Sequence, residues 1–578
     1  MIEFFFFLVI LFVPGYLIAD KYFSGLEKWV LSVFLSLSVT SFFYYFVVSF
    51  FGISKELICV YSLVLLVIFF VLKKLDIKII LNSIKKFKLN STPIQRKNLF
   101  GLLTLFILVL VLSLTAFFIP INMLVIYDDV TYHLPIINDI ADDGKKTFFS
   151  ETHNLYQVRS NQFPLLFESF VGVTKFFLNS DLFRFVSFFS LILSLFLIYF
   201  ISRLLGFNEF FSATIYALTP IVLVFVRFFT VESFLSMFFL GCVFFVLKYV
   251  RSQNLFFVVV AGFLAGLMFL VKFTGGVFFV GLLLFLLYKR KFKASVLFGL
   301  IFVLISLVFV VSHLTVPVEQ NSVGGYGEIS ANILTQVFSN SIKMGDVFLQ
   351  FFSINSSVAY IFFVPLLCFL GLFWITKKEK NFLKLLIISA VLFLFVNSVI
   401  SARPTFTGIT RYFIPIYSLL CIFAGIQLKK ISLLNNKLIS IFSGVLFISL
   451  ILFISIFSLT IFNEELNSKK SFSYSKGIED DSELVIWFVD GGALSSGFSK
   501  STLYDYSWET DFSGNPCQFL KNNSIDYVVY FHFPIEDLYT NYLGDFGPKL
   551  RQSLLDDNCS VKVSKTNDIF KINYENEN

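Results

Sequence analysis

Fourteen apolar runs punctuate this chain, near residues 2–19, 29–52, 56–72, 99–119, 182–202, 208–226, 232–250, 255–271, 273–288, 294–312, 357–376, 382–400, 411–428 and 438–462. Runs of about 17–25 residues are long enough to cross ~30 Å of hydrocarbon as helices. No other property of the sequence limits the fold as strongly. A backbone in lipid has no water to bond to, so it must close its hydrogen bonds within helices or a closed barrel. With 57% apolar and 14% charged residues in 578, the expectation is an α-helical polytopic membrane protein. The 83 Phe residues read as apolar filler rather than chemistry. The first run, Ile2–Ala19, lacks a basic leader and a small-residue cleavage site, so it is expected to stay as a span.

Charge sets the expected orientation. The gap Lys73–Lys97 holds eight basic residues and one acid, and short Lys/Arg-rich loops stay in the cytoplasm. Alternating the spans from there puts five more gaps inside. They contain Arg203; Lys248 and Arg251; Lys289, Arg290, Lys291 and Lys293; Lys377, Lys378 and Lys380; and Lys429, Lys430 and Lys437. The N-terminus then falls outside, and so does the tail. Residues 463–578 carry 10 Lys/Arg and 19 Asp/Glu, a net of −9 that leaves +16 on the membrane part of a chain whose total is +7. That asymmetry is a topology signal and argues against nucleic-acid binding.

Three organisational units follow. Residues 1–98 supply three helices and the basic loop. Residues 99–462 form a membrane core with a long first outer loop, 120–181. Residues 463–578 are expected to form a small extracytoplasmic α/β domain. In it Leu484–Val489 and Tyr527–Phe531 read as buried strands, Pro516–Asn522 as a helix and Ser560–Tyr574 as a closing hairpin. Cys517 and Cys559 in this tail are a candidate disulfide; Cys59, Cys242, Cys368 and Cys421 lie in apolar runs as small core residues.

The candidate chemistry gathers at the outer ends. Asp128 and Asp129 stand just past a span. Neighbouring carboxylates repel, so one holds its proton more tightly and suits a general base; the pair also suits a divalent cation or a solvated helix cap. Tyr132 and His133 follow on the same stretch. Glu232 opens one span and Lys272 closes the next, where charge at membrane depth is functional or paired, or where a lysine snorkels to the interface. Arg403, Arg411 and Tyr412 lie at the outer start of a span, where arginine can grip a phosphate or simply anchor the helix. Gly262 and Gly266 form a small-residue face suited to close helix packing.

Taken in order, these pieces resemble the GT-C glycosyltransferases, in the branch of the lipid A aminoarabinose transferase and the protein O-mannosyltransferases. The acidic pair with its following Tyr132 is similar to that family's first-loop motif. Similar segments follow at Phe163-Pro164-Leu165-Leu166, at Phe183-Arg184-Phe185 and at Thr230 to Leu235, where Glu232 stands in place of Asp. They continue in the stretch from Ala261 that ends Gly-Leu-Met-Phe-Leu-Val-Lys272, and at Arg411-Tyr412-Phe413-Ile414-Pro415. The likeness spans about 99–430. Departures are the three preceding helices, Glu232, and Phe273 where the family has Gly.

The resemblance implies a sugar donor linked to polyprenyl phosphate and a glycan, lipid or protein acceptor, with inverting transfer on the outer face of the cell membrane. On that reading Asp128 or Asp129 is the base. Lys272, Arg411 and Arg403 hold the donor phosphate, while Glu232, Tyr132, His133 and Tyr412 position the acceptor. No cofactor is certain; a divalent cation near the acids is a candidate and its ligands are unknown. Two other readings share the lipid-linked saccharide: a transporter or flippase, and an oligosaccharide ligase or polymerase.

Overall fold

The computed structural model describes residues 2–73, 105–110, 113, 164–178, 186–218, 222, 231–314, 384–385, 389 and 414–431, single positions between 133 and 144, and five strands between 485 and 572. The described helices are α1 (Ile2–Tyr22), α2 (Gly25–Phe50), α3 (Lys55–Lys73), α4 (Leu166–Leu178), α5 (Val186–Leu205), α6 (Glu209–Leu218), α7 (Val231–Ser252), α8 (Leu255–Val271), α9 (Gly275–Tyr288), α10 (Phe292–Leu314) and α11 (Ile414–Ile431). Among the described residues, six of these (α1, α2, α3, α5, α7 and α10) are long and apolar enough to cross a membrane, and α8, α9 and part of α11 are shorter apolar helices. The remaining expected spans lie outside the described residues.

Helix α7 is the hub. Phe234, Phe238, Phe239 and Phe244 are fully buried, and α7 packs on α5, α8, α9 and α11. Small residues let neighbours close in, as helix association in lipid requires. A Cβ on Gly241 of α7 would lie 2.2 Å from the Phe34 ring of α2. On α8, Gly262 and Gly266 meet α10, where a Cβ would come within 2.9 Å of Ile301 and 2.5 Å of Ile305. That pair is a packing face, in line with its spacing.

The first three helices are built into this core. Gly15 of α1 donates its N–H to Ser36 Oγ of α2 at 2.7 Å. Tyr22 stacks on Phe256 of α8 at 4.0 Å, and Tyr44 stacks on Phe170 of α4 at 6.0 Å. The outer flanks are different. Val60, Val67, Val71 and Leu72 of α3 and Phe292, Val296, Leu300 and Leu304 of α10 are exposed, an apolar surface that suits lipid.

Helix α4, which lies within the stretch 120–181, is buried along most of its length, including Glu168 and Thr174. Its Gly172 presses on the described turn at Ile137 and Ile140, where a Cβ would meet Ile140 at 2.8 Å.

In the tail, the strands β1 (Val485–Val489), β2 (Thr502–Asp505), β3 (Tyr527–Tyr530), β4 (Ser560–Lys562) and β5 (Asp568–Ile572) form one sheet in the order β2-β1-β3-β5-β4. The β2-β1-β3 pairs are parallel, and β5 is antiparallel to both β3 and β4. Parallel neighbours require crossover connections. The helix expected at Pro516–Asn522 lies outside the described residues, as does the Cys517–Cys559 pair.

Candidate functional site

The ends of the bundle can be told apart by their contacts. Arg251 donates to the Leu204 carbonyl beside Arg203 at 3.5 Å, Lys291 donates to Gln253 at 2.7 Å, and Lys248 pairs with Glu27 at 2.7 Å. These bonds bring the basic turns after α5, α7 and α9 to one end. The opposite end collects the first turns of α4, α7 and α9 and the last turn of α8.

Two buried carboxylates sit there. Glu232, in the first turn of α7, accepts from Lys272 Nζ at 2.8 Å; its side chain is 4% exposed and that of Lys272 is 26% exposed. A carboxylate at a helix N-terminus and an ammonium at a C-terminus both complement the helix dipoles. Lys272 caps α8 through its own N–H to the Met268 carbonyl at 3.1 Å, and its carbonyl receives the Gly275 N–H at 2.8 Å. A Cβ on Gly275 would lie 2.2 Å from the Met268 carbonyl oxygen. The glycine that permits this tight turn is therefore three residues past the lysine, whereas Phe273 follows it directly.

Glu168, in the first turn of α4, bonds His133 Nδ1. The Glu168 side chain is 1% exposed and that of His133 is 14% exposed; the other Glu168 oxygen, Oε2, has no hydrogen-bond partner among the described residues. Phe167 meets the His133 ring edge-on at 6.3 Å and also touches Phe234 of α7 at 5.5 Å. The two acid-bearing first turns are thus neighbours. Tyr45 of α2 is buried and lies near Glu168, Ser49 and Ser312.

Helix α11 starts at the same end. Ser418, four residues past Ile414, meets Ser236, four residues past Glu232, at 2.9 Å. Among the described residues, no group of three His, Cys, Asp or Glu side chains converges to hold a metal.

Residues 168–315, from Glu168 to just past α10, match the family model described as dolichyl-phosphate-mannose-protein mannosyltransferase. This is about a quarter of the chain. The structure of ArnT from Cupriavidus metallidurans bound to undecaprenyl phosphate is similar at a TM-score of 0.50 and 12% identity, covering 81% of this chain and 97% of that one. At this identity the likeness shows a shared fold. The archaeal oligosaccharyltransferase AglB from Archaeoglobus fulgidus, in complex with an inhibitory peptide and a dolichol-phosphate, aligns at a TM-score of 0.48 and 11% identity, over 79% of this chain and 72% of that one. No curated protein sequence matches significantly.

Three of the sequence-derived candidates are described: His133, Glu232 and Lys272. All three stand at the same end, and the last two are bonded to each other. Asp128, Asp129, Tyr132, Arg403, Arg411 and Tyr412 lie outside the described residues. Glu168 is a residue the motif reading passed over. Its signal was present: a lone acid four residues past Pro164, in an apolar stretch, where burial requires a partner.

Proposed function

We propose that this chain is a membrane glycosyltransferase that moves a sugar from a polyprenyl-phosphate donor to an acceptor on the outer face of the membrane, with inversion. The observation that carries this reading is the buried Glu232–Lys272 pair at the end of the bundle opposite the basic turns. Buried charge costs free energy unless it is paired and used. Here it lies inside the segment that matches the mannosyltransferase family model.

The chemistry is a single displacement. A carboxylate of the Asp128–Asp129 pair takes the proton from the acceptor's nucleophilic group. The acceptor bonds to the anomeric carbon as its bond to the phosphate oxygen breaks, and polyprenyl phosphate departs. One displacement inverts the anomeric centre. An ammonium carries three donors, so Lys272 can keep Glu232 and still bind a phosphate oxygen. Arg411 stands three residues before Ile414, where α11 begins at this end, and with Arg403 it would share the leaving charge. Asp129 is four residues from His133, within about 14 Å of extended chain, so the acidic pair falls within reach of the same end. Glu232, His133, Tyr132 and Tyr412 shape the acceptor side. The basic end faces the cytoplasm by the positive-inside rule, and the tail forms a small outer α/β domain. A divalent cation at the acids is a further part of this reading.

The test uses the purified chain in lipid with a panel of polyprenyl-phosphate sugars, following release of free polyprenyl phosphate. Wild type should release it with one donor, and the Asp128→Asn/Asp129→Asn double variant should not. Translocation of a lipid-linked saccharide without release would instead establish the transporter reading.

A further inference from the structure

The turn between α9 and α10 concentrates positive charge at the basic end. It carries Lys289, Arg290, Lys291 and Lys293. A fifth cation comes from outside the hairpin. Lys384 donates to the Tyr288 hydroxyl at 2.5 Å, with its Nζ 4.5 Å from the ring centroid, and Lys289 Nζ lies 5.7 Å from the same ring. Elsewhere at this end lysines have acids: Lys28 pairs with Asp20 and Lys248 with Glu27. Among the described residues, none of the five cations around the α9–α10 turn has a carboxylate partner. Like charges held this close repel unless an anion joins them.

The backbone is unusual at the same place. Arg290 donates its N–H to the Leu287 carbonyl at 2.8 Å, and Lys291 donates its N–H to the Leu286 carbonyl at 3.0 Å. This is the helix ending whose left-handed residue is most often glycine. Here that residue is Arg290, at φ +55°. Glycine takes this conformation at no steric cost and arginine does not. The turn therefore keeps an exposed guanidinium where the backbone favours glycine. Lys291 tethers the turn by donating to Gln253 at 2.7 Å, and Gln253 is itself left-handed at φ +58°.

The charges sit at the head of an apolar stripe. Phe292, Val296, Leu300, Val303 and Leu307 of α10 are exposed and recur every three or four residues, so they share one helix face. From Phe292 to Leu307 that face runs for about 22 Å, more than half of a ~30 Å hydrocarbon layer. Gly299 lies on the same face and leaves a gap in it, since a Cβ there would meet nothing within 4 Å.

We infer that the α9–α10 turn is a binding site for an anionic phospholipid of the leaflet at the basic end. The phosphate lies against Arg290, Lys293 and Lys289, where the guanidinium can make paired hydrogen bonds to it, and an acyl chain follows the α10 stripe past Gly299. An acidic peptide would use the charges and leave the stripe idle; a zwitterionic lipid would use the stripe and leave the net charge unmatched. The site is at the end of the bundle opposite Glu232 and Lys272, and it stands independently of the transfer chemistry there.

The experiment is native mass spectrometry of the purified full chain in neutral detergent, titrated with long-chain phosphatidylglycerol or phosphatidylcholine. Wild type should bind phosphatidylglycerol at least tenfold more tightly than phosphatidylcholine. Each basic residue near an anionic lipid surface raises affinity about fivefold, so Arg290→Gly/Lys293→Gln should weaken phosphatidylglycerol binding tenfold or more and leave phosphatidylcholine unchanged. Glycine relaxes the left-handed position, so this variant should unfold at or above the wild-type midpoint, which separates lost binding from lost fold. Arg203→Gln/Arg251→Gln removes the same charge elsewhere at the basic end and should leave binding near wild type. An equal loss in that control would mean a diffuse basic surface and would overturn the site. Dihexanoyl phosphatidylglycerol, with the same head group on short tails, should bind at least tenfold more weakly than the long-chain lipid; equal binding would reduce the turn to a simple anion site and overturn the lipid assignment.

Discussion

The two ends of the helical bundle use charge in opposite ways. At the basic end, Lys28–Asp20 and Lys248–Glu27 are pairs in which every side chain is 21–29% exposed. At the other end, Glu232 and Glu168 are 4% and 1% exposed. Exposed pairs contribute little because water screens them and two long side chains lose freedom. Buried acids cost several kcal/mol to desolvate and remain only with partners in place. The basic end can thus be assembled from interchangeable charges, which is all a topology signal needs. The other end depends on individual atoms, which is what chemistry needs. The comparison can be broken by variants that disturb one end while sparing the other.

The largest effect should come from the acidic pair. Loss of a general base costs roughly 10²–10⁴-fold in rate. The Asp128→Asn/Asp129→Asn double variant should therefore lose transfer while keeping the unfolding midpoint of wild type. An equal fall in midpoint would place the aspartates in the scaffold instead.

Next in size is Lys272→Met. It leaves Glu232 buried without its cation, and breaking a buried pair costs about 3–5 kcal/mol. The end-of-helix position and the partial exposure of Lys272 put this variant at the lower edge of that range. Glu232→Gln should cost less, because water can solvate the lysine it releases. A Lys272→Met/Glu232→Met double variant should regain much of the stability lost by the lysine variant without regaining donor use. Thermal unfolding and donor titration separate the two outcomes. Recovery of both would make the pair an ordinary structural bridge.

Legibility in the sequence differed between the ends for related reasons. Apolar runs and basic turns are statements about composition, and they survive loss of positional detail, so the helices and the grouping of Arg203, Arg251 and Lys291 at one end were readable. Glu232 and Lys272 were readable as unusual charges at span ends, but their bond was not, because it joins residues 40 apart across a helix hairpin. The burial of Glu168 was hidden by α4 itself. An acid in a short apolar stretch fits a surface helix as well as a buried one, and only the packing of α2 and α7 around it decides. Strands β1 and β3 are short apolar runs and were readable, whereas β2, with sequence Thr-Leu-Tyr-Asp, lacks enough apolar pattern to stand out.

A middling effect is expected at the α8–α9 turn. In Gly275→Ala the added methyl meets backbone, the Met268 carbonyl at 2.2 Å, so the turn itself must move. Overpacking of this kind costs about 1–3 kcal/mol. Because Lys272 sits inside that turn, donor KM should rise along with the loss of stability. Gly266→Ala is the control: its methyl meets the Ile305 side chain at 2.5 Å, remote from the lysine, and should lower stability without a specific change in donor KM.

The smallest effect belongs to the basic end. Lys28 bonds Asp20 at 3.2 Å and lies over the Tyr16 and Trp29 rings at 5.4 Å. Asp20→Ala removes the ion-pair partner and leaves the ring contacts, so it should shift stability by less than about 1 kcal/mol and leave release of polyprenyl phosphate at the wild-type rate. A large loss of transfer from this change would mean that the two ends are coupled through α1 and α2, and the division between a topology end and a chemistry end would no longer hold.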